Sequence, residues 1–163
     1  MVSKTQSILP VYLIVGPEAF LRRQALASLL KMIEQAEQGD VQTTRVDGAQ
    51  AQLADVLDEV RTVALLGGRR TVVVDQADPF VTRYRKPLER FCESVSDTGN
   101  TGTLVLVCNT LARSTRLHKI GIKIGQRIEC EAVKPYKVAA WITRHASDCY
   151  EKRVSAASAA RLP

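Results

Sequence analysis

No apolar run in the 163-residue chain approaches the ~20 residues that a membrane-spanning helix needs, so an integral membrane protein is excluded. Residues 1–10 hold a single lysine and no apolar core, so no secretory signal is expected. Chemistry-bearing residues are scarce. The two histidines, His118 and His145, have no acidic cluster around them and no Ser or Cys partner at a fixed spacing. The pattern therefore predicts no metal site and no catalytic residue of the nucleophilic kind. His118 reads as a surface residue in a basic helix, and His145 as a packed residue beside Trp141. The four cysteines, Cys92, Cys108, Cys130 and Cys149, form no CxxC spacing, which argues against zinc. Cys108 and Cys130 end apolar runs and read as small core residues. Reduced thiols and a cytoplasmic location are expected.

The remaining composition is that of an ordinary globular domain, 45% hydrophobic and 25% charged. The length suits one domain, or one domain and a fragment of a second. Lys and Arg outnumber Asp and Glu by 23 to 17, a net charge of +6, which favours anionic partners without proving contact.

Val11–Val15 is a continuous apolar run closed by Gly16, as suits a strand buried on both faces. Pro17 and Glu18 fit a helix first turn, and Phe20, Leu21, Ala25, Leu29, Met32 and Ile33 follow at helical spacing. Gly39-Asp40 marks the stop. Val41–Val46 alternates in polarity as a second strand, and Leu53, Val56, Leu57 and Val60 mark a second helix. Arg70–Asp75 and Thr103–Cys108 are β-branched, apolar strands. Between them, Tyr84–Val95 carries a helical stripe, and residues 96–102 have loop composition. A short basic helix from about Arg113 and a fifth strand, Arg127–Cys130, complete the pattern. Alternating strands and helices with apolar strands predict a three-layer α/β fold, a parallel sheet with helices on both faces.

After Lys134-Pro135 the pattern turns helical, with Val138, Trp141, Ile142 and His145 on one stripe and Ser155 placed to cap a short helix at 156–162. A boundary is therefore expected near Lys134, giving units 1–133 and 134–163. The second unit ends at Pro163 before it can close a core, so a longer natural chain is expected.

A phosphate loop of the P-loop type needs G-x-x-x-x-G-K-[ST] after the first strand. The chain has Gly16-Pro-Glu-Ala-Phe-Leu-Arg-Arg-Gln instead, with one glycine, a proline lacking an N–H, and no Lys-Ser/Thr pair. The third strand ends in Asp75-Gln76, where an ATPase would carry Asp-Glu, and Gln cannot act as a general base. Asn109 occupies the place of a phosphate-sensing residue, which is also ordinary turn chemistry. Gly16 and Asp75 thus read as vestiges, and no cofactor is expected. Val63, Leu65 and Leu66 precede Gly67-Gly68-Arg69-Arg70 in what should be a polar connection. Either they fold onto the core or they form an exposed apolar tip. From Leu111 to Ile128, Arg113, Arg116, Lys119, Lys123 and Arg127 occur with no acid between them, as a solvated face or a phosphate contact. No interleaved aromatics are there to stack bases.

The ordered set of Tyr12-Leu-Ile-Val-Gly16 and its helix, Leu65-Leu66 before Arg69–Asp75, the 104–109 strand, and Trp141-Ile142 after Lys134-Pro135 resembles the delta subunit of bacterial DNA polymerase III. The resemblance implies an AAA+-like domain with a degenerate nucleotide site, then the start of a small helical lid domain, with the C-terminal collar domain absent from this chain. It implies a clamp-loader subunit that binds and opens the sliding clamp in DNA replication. Such a subunit is non-catalytic by itself within the DNA-directed DNA polymerase, a nucleotidyltransferase. The implied clamp-binding residues are Leu65 and Leu66, flanked by Val63, Gly67 and Arg69. Implied partners are the clamp (beta subunit), the other loader subunits through the missing domain, and primed DNA indirectly. Two readings from other classes stand beside it: a diverged P-loop ATPase, and a sequence-nonspecific DNA-binding module using Arg113, Arg116, Lys119 and Lys123.

Overall fold

A computed structural model describes residues 7–37, 41–62, 69–98 and 102–131. The chain divides into two units, Met1–Cys130 and Glu131–Pro163, and the description concerns the first. The expected helices around Trp141 and after Ser155 lie outside the described residues, as does the stop at Gly39-Asp40.

Among the described residues, five strands and four helices alternate: β1 (Val11–Val15), α1 (Ala19–Glu37), β2 (Gln42–Asp47), α2 (Leu53–Arg61), β3 (Arg70–Asp75), α3 (Asp78–Thr98), β4 (Thr103–Cys108), α4 (Arg116–Ile124) and β5 (Gly125–Glu129). The sheet order is β2-β3-β4-β1-β5 and every pairing is parallel. Side chains alternate across a strand, and both faces of this sheet are covered, which is why β1, β3 and β4 read as unbroken apolar runs. Tyr12, Ile14, Val73, Val105 and Val107 face α1, which presents Leu26, Leu29 and Ile33. Val11, Leu13, Val72, Val74, Leu104 and Leu106 face the opposite way, onto α2, α3 and α4 through Val56, Val60, Phe80, Phe91 and Leu117. Among the described residues, no helix is long and apolar enough to cross a membrane.

The boundaries differ from the sequence expectation in instructive places. β2 starts one residue later than expected and is half exposed, as its alternating polarity suggests for an edge strand. The third helix begins at Asp78, six residues before the expected stripe, and kinks at Tyr84 (φ −116°, ψ 24°). Pro87 is the cause: its ring collides with the carbonyl four residues earlier and it offers no N–H. The helix on either side of the kink therefore lacks a single period. The basic helix starts at Arg116 rather than Arg113, with Thr115 as its N-cap accepting from the His118 N–H. β5 follows α4 directly, because Gly125 lets the chain pass where a Cβ would lie 1.9 Å from the Val11 carbonyl oxygen.

Thr71 is fully buried in β3, and its hydroxyl has no hydrogen-bond partner among the described residues. A buried hydroxyl left unpaired is costly, by roughly 1–3 kcal/mol. Thr71→Val keeps the shape and removes the orphan, so it should stabilise the domain by about 1 kcal/mol. Chemical denaturation checks this, and a lower midpoint for the variant would refute it.

Candidate functional site

In parallel α/β sheets, ligands bind beyond the carboxyl ends of the strands. That end of this sheet holds a cavity of about 600 Å³ under the start of α1, bordered by Arg22, Arg23, Arg45, Asp75, Gln76 and Asn109. Asp75 lines it, Gly16 lies on the turn between β1 and α1, and the polar groups around both are engaged by the protein itself.

The Gly16 N–H donates to the Cys108 carbonyl (3.2 Å), and the Cys130 N–H donates to the Val15 carbonyl (2.7 Å). The Gly16 carbonyl accepts from Arg22 Nη1. This turn extends the sheet instead of curling around a phosphate. Gly16 is required for a packing reason: a Cβ there would stand 2.0 Å from the Cys130 carbonyl oxygen. Asp75 Oδ2 accepts from Arg45 Nη2 (2.6 Å) and Nε (3.0 Å). The carboxylate that would serve magnesium thus already has a cation. Gln76 sits at φ 48°, a left-handed conformation uncommon for a side-chain-bearing residue. Asp78 accepts from the backbone N–H groups of Asn109 (2.8 Å) and Thr110 (3.0 Å), which fixes the exit of β4.

Arg22 and Arg45 were invisible as participants in the sequence. Arg45 reaches Asp75 only because β2 and β3 lie side by side with Asp47 opposite Asp75. No local spacing encodes that adjacency. The Arg22 spacing from Gly16 was readable, but nothing in it distinguishes a capping arginine from a solvated one.

Val63, Leu65, Leu66 and Gly67 lie outside the described residues. The elements that send the chain out and take it back are defined. Thr62 closes α2, its N–H and hydroxyl both donating to the Asp58 carbonyl (2.9 and 2.7 Å). On the return side, Arg69 Nε donates to Glu37 at the end of α1 (3.0 Å), and Arg70 Nη1 pairs with Glu59 of α2. Arg69, expected to flank the tip, is thus tied to α1.

The basic stretch is only partly available. Arg113 pairs with Glu129 (2.8 Å) and Arg116 with Glu93 (2.5 Å). Lys119 and Lys123 are exposed and make no ion pair among the described residues. Arg127 is drawn inward, donating to the Leu111 carbonyl (2.7 Å) and to Glu129. The acids that answer this stretch come from α3 and β5, so a scan between Leu111 and Ile128 could not find them.

His118 differs from its expected surface role and is buried. Its Nδ1 lies 3.4 Å from Arg127 Nη1. A guanidinium only donates, so Nδ1 keeps its lone pair and the neutral ring carries its proton on Nε2. Burial, then Arg127 and Arg113, hold the imidazole below the usual histidine range, with Glu129 opposing and Lys119 adding slightly. The unfolded chain therefore takes up this proton more readily than the folded one. Stability should be full above the ordinary histidine pKa of ~6.5 and fall as pH drops through it. The expected result is a Tm that declines between pH 7.5 and pH 5.5 at roughly these values, with the slope reduced in His118→Gln. An unchanged slope would refute the assignment. The thiols of Cys92 and Cys108 are pushed up to about 12, mainly by burial, and are not nucleophiles at neutral pH.

Residues 12–130 match the family described as DNA polymerase III, delta subunit. No curated protein sequence matches the chain. Among solved structures, the chain is similar to the Bacillus subtilis DNA clamp loader delta protein (YqeN), with TM-score 0.67 and 17% identity over 94% of this chain and 47% of the other. It is also similar to two point variants of RuvB from Thermotoga maritima, with TM-scores 0.52 and 0.50, each 18% identical over 94% of this chain and 48% of theirs. The chain spans about half the length of these structures. At such identities the likeness speaks to the fold, an AAA+-like α/β domain on a five-stranded parallel sheet.

Proposed function

The chain belongs to the DNA polymerase III delta-subunit family, and from that membership we propose that it is the clamp-contacting part of a clamp loader, binding and opening the sliding clamp without hydrolysing ATP. The observation that carries the reading is the family match across residues 12–130, which spans the Leu65-Leu66 position. The occupied polar groups around Gly16 and Asp75 support the non-catalytic half of it.

The mechanism is mechanical. Leu65 and Leu66 bury in an apolar pocket on the clamp, with Val63, Gly67 and Arg69 flanking them. Full burial of a leucine side chain is worth about 1.5–3 kcal/mol. A ligand shifts an equilibrium only by its differential affinity for the two states, so the tip must bind the open-interface clamp more tightly than the closed ring. ATP, where the loader uses it, acts on other subunits. The other loader subunits are partners in that assembly, within which primed DNA is met. On α4, a phosphate contact would fall first to Lys119 and Lys123, because Arg113 and Arg116 are already paired.

Surface plasmon resonance against the cognate bacterial clamp tests the proposal. Saturable binding by the chain, with no ATP binding in an equilibrium titration, is the expected result. No binding to the clamp, or tight ATP binding at the α1 cavity, would overturn it.

A further inference from the structure

We propose that the outer edge of β2 and the groove behind it form a docking site for an extended, Lys- or Arg-bearing segment of a partner protein. The proposal does not rest on the reading of Leu65-Leu66. Among the described residues, β2 pairs only with β3, in unbroken register from Gln42 opposite Arg70 to Asp47 opposite Asp75. It contains no proline and no bulge, the usual guards of an exposed edge. Its two charges are engaged by the protein itself: Arg45 is held by Asp75, and Asp47 Oδ1 accepts from the Ala49 N–H (2.7 Å). An edge in this condition is a template for one more strand.

Between β2 and α2 lies a groove of about 420 Å³ with Val46, Val56 and Val72 in its floor. Every charged residue lining it is an acid, namely Asp47, Asp55 and Glu59, in a chain whose overall charge is +6. Glu59 is already bound by Arg70 and by the Thr44 hydroxyl (3.2 Å). Asp55 is exposed in the first turn of α2 and makes no ion pair among the described residues. An apolar floor under an acidic rim fits an aliphatic side chain followed by a cation. In a strand, alternate residues share a face, so the recognised pattern is an apolar residue and a Lys or Arg two positions apart. Backbone pairing with β2 would supply affinity, and the rim would supply the choice of charge.

The probe is a fluorescein-labelled peptide, Ser-Val-Ser-Lys-Ser-Val-Ser-Lys, titrated into the full chain and followed by anisotropy. Saturable binding is expected, weakened roughly tenfold or more by Asp55→Lys, and by less in Asp55→Asn. Hydrogen exchange of alternate β2 amides should slow when the peptide is present. Circular dichroism of both variants reports whether they fold, and Asp55→Asn carries the test if Asp55→Lys does not. Four results would overturn the proposal. These are no binding, equal binding when Glu replaces Lys in the peptide, binding without protection of β2, and concentration-dependent dimerisation that buries β2 against a second copy.

Discussion

Leu65→Ala combined with Leu66→Ala should weaken clamp binding by about a hundredfold or more while leaving the Tm within about 2 °C of the parent. Two buried leucines carry roughly 3–6 kcal/mol of burial energy, and each 1.4 kcal/mol is tenfold in affinity. Truncation to Ala forfeits most of that. The fold should not feel the change, because α2 and β3, the elements on either side, are held by contacts elsewhere. Val56, Leu57 and Val60 pack into the sheet, Thr62 closes α2, and Arg70 pairs with Glu59. Surface substitutions outside such contacts usually change stability by less than 0.5 kcal/mol, which is the basis for a small Tm shift. Calorimetry beside the binding measurement separates the two readings of this segment. A Tm loss of roughly 10 °C or more would put the leucines in the core. Parent-like clamp affinity in a folded double variant would refute the tip.

The second large effect is expected at Gly16→Ala. A glycine after the first strand of an α/β domain is easily taken for part of a phosphate cradle. Here its hydrogen atom faces the backbone of Cys130, and a Cβ would meet the carbonyl oxygen at 2.0 Å, the carbonyl carbon at 2.4 Å and the Cα at 2.8 Å. All three are main-chain atoms that follow β5, so relief requires β5 to move off β1 and to loosen the Cys130 N–H bond to Val15. The expected cost is about 3 kcal/mol or more, a Tm drop of roughly 10 °C. Gly121→Ala is the matched control. Its Cβ would meet only the Leu13 side chain, at 3.2 Å, and alanine is the better helix former by about 1 kcal/mol. A Gly16→Ala variant as stable as the parent would mean that the turn is free to rearrange, which reopens it as a ligand loop.

Much of the architecture was legible because its signals are local. Residues 11–15, 70–75 and 103–108 are each buried on both sides, and a strand in that position has to be apolar throughout. The stripes of α1 and α2 are equally local. The start of α3 was hidden because Pro87 breaks the helical period that a reader follows. β5 was misplaced by two residues because Gly125 owes its identity to Val11, far away in the chain. The missing phosphate-loop residues could be read from the sequence alone. Their replacement by Arg22 and Arg45 could not, since that depends on which strands become neighbours. His118 was misread for the same reason: a basic helix looks solvated until β5 brings Arg127 beside the ring nitrogen Nδ1.

The position of β1 also sets the order in which the chain can be assembled. Its neighbours are β4 on one side and β5 on the other, so Val11 pairs with Leu104 and with Gly125. β1 is made before both of its partners and is thus among the last of these strands to be joined. Pairings so distant in sequence close slowly and leave apolar segments exposed meanwhile. A chain interrupted at Gly102 would carry β1 and all of α1 with nothing to lay β1 beside. Only the final thirty or so residues of the first unit turn the earlier elements into a domain.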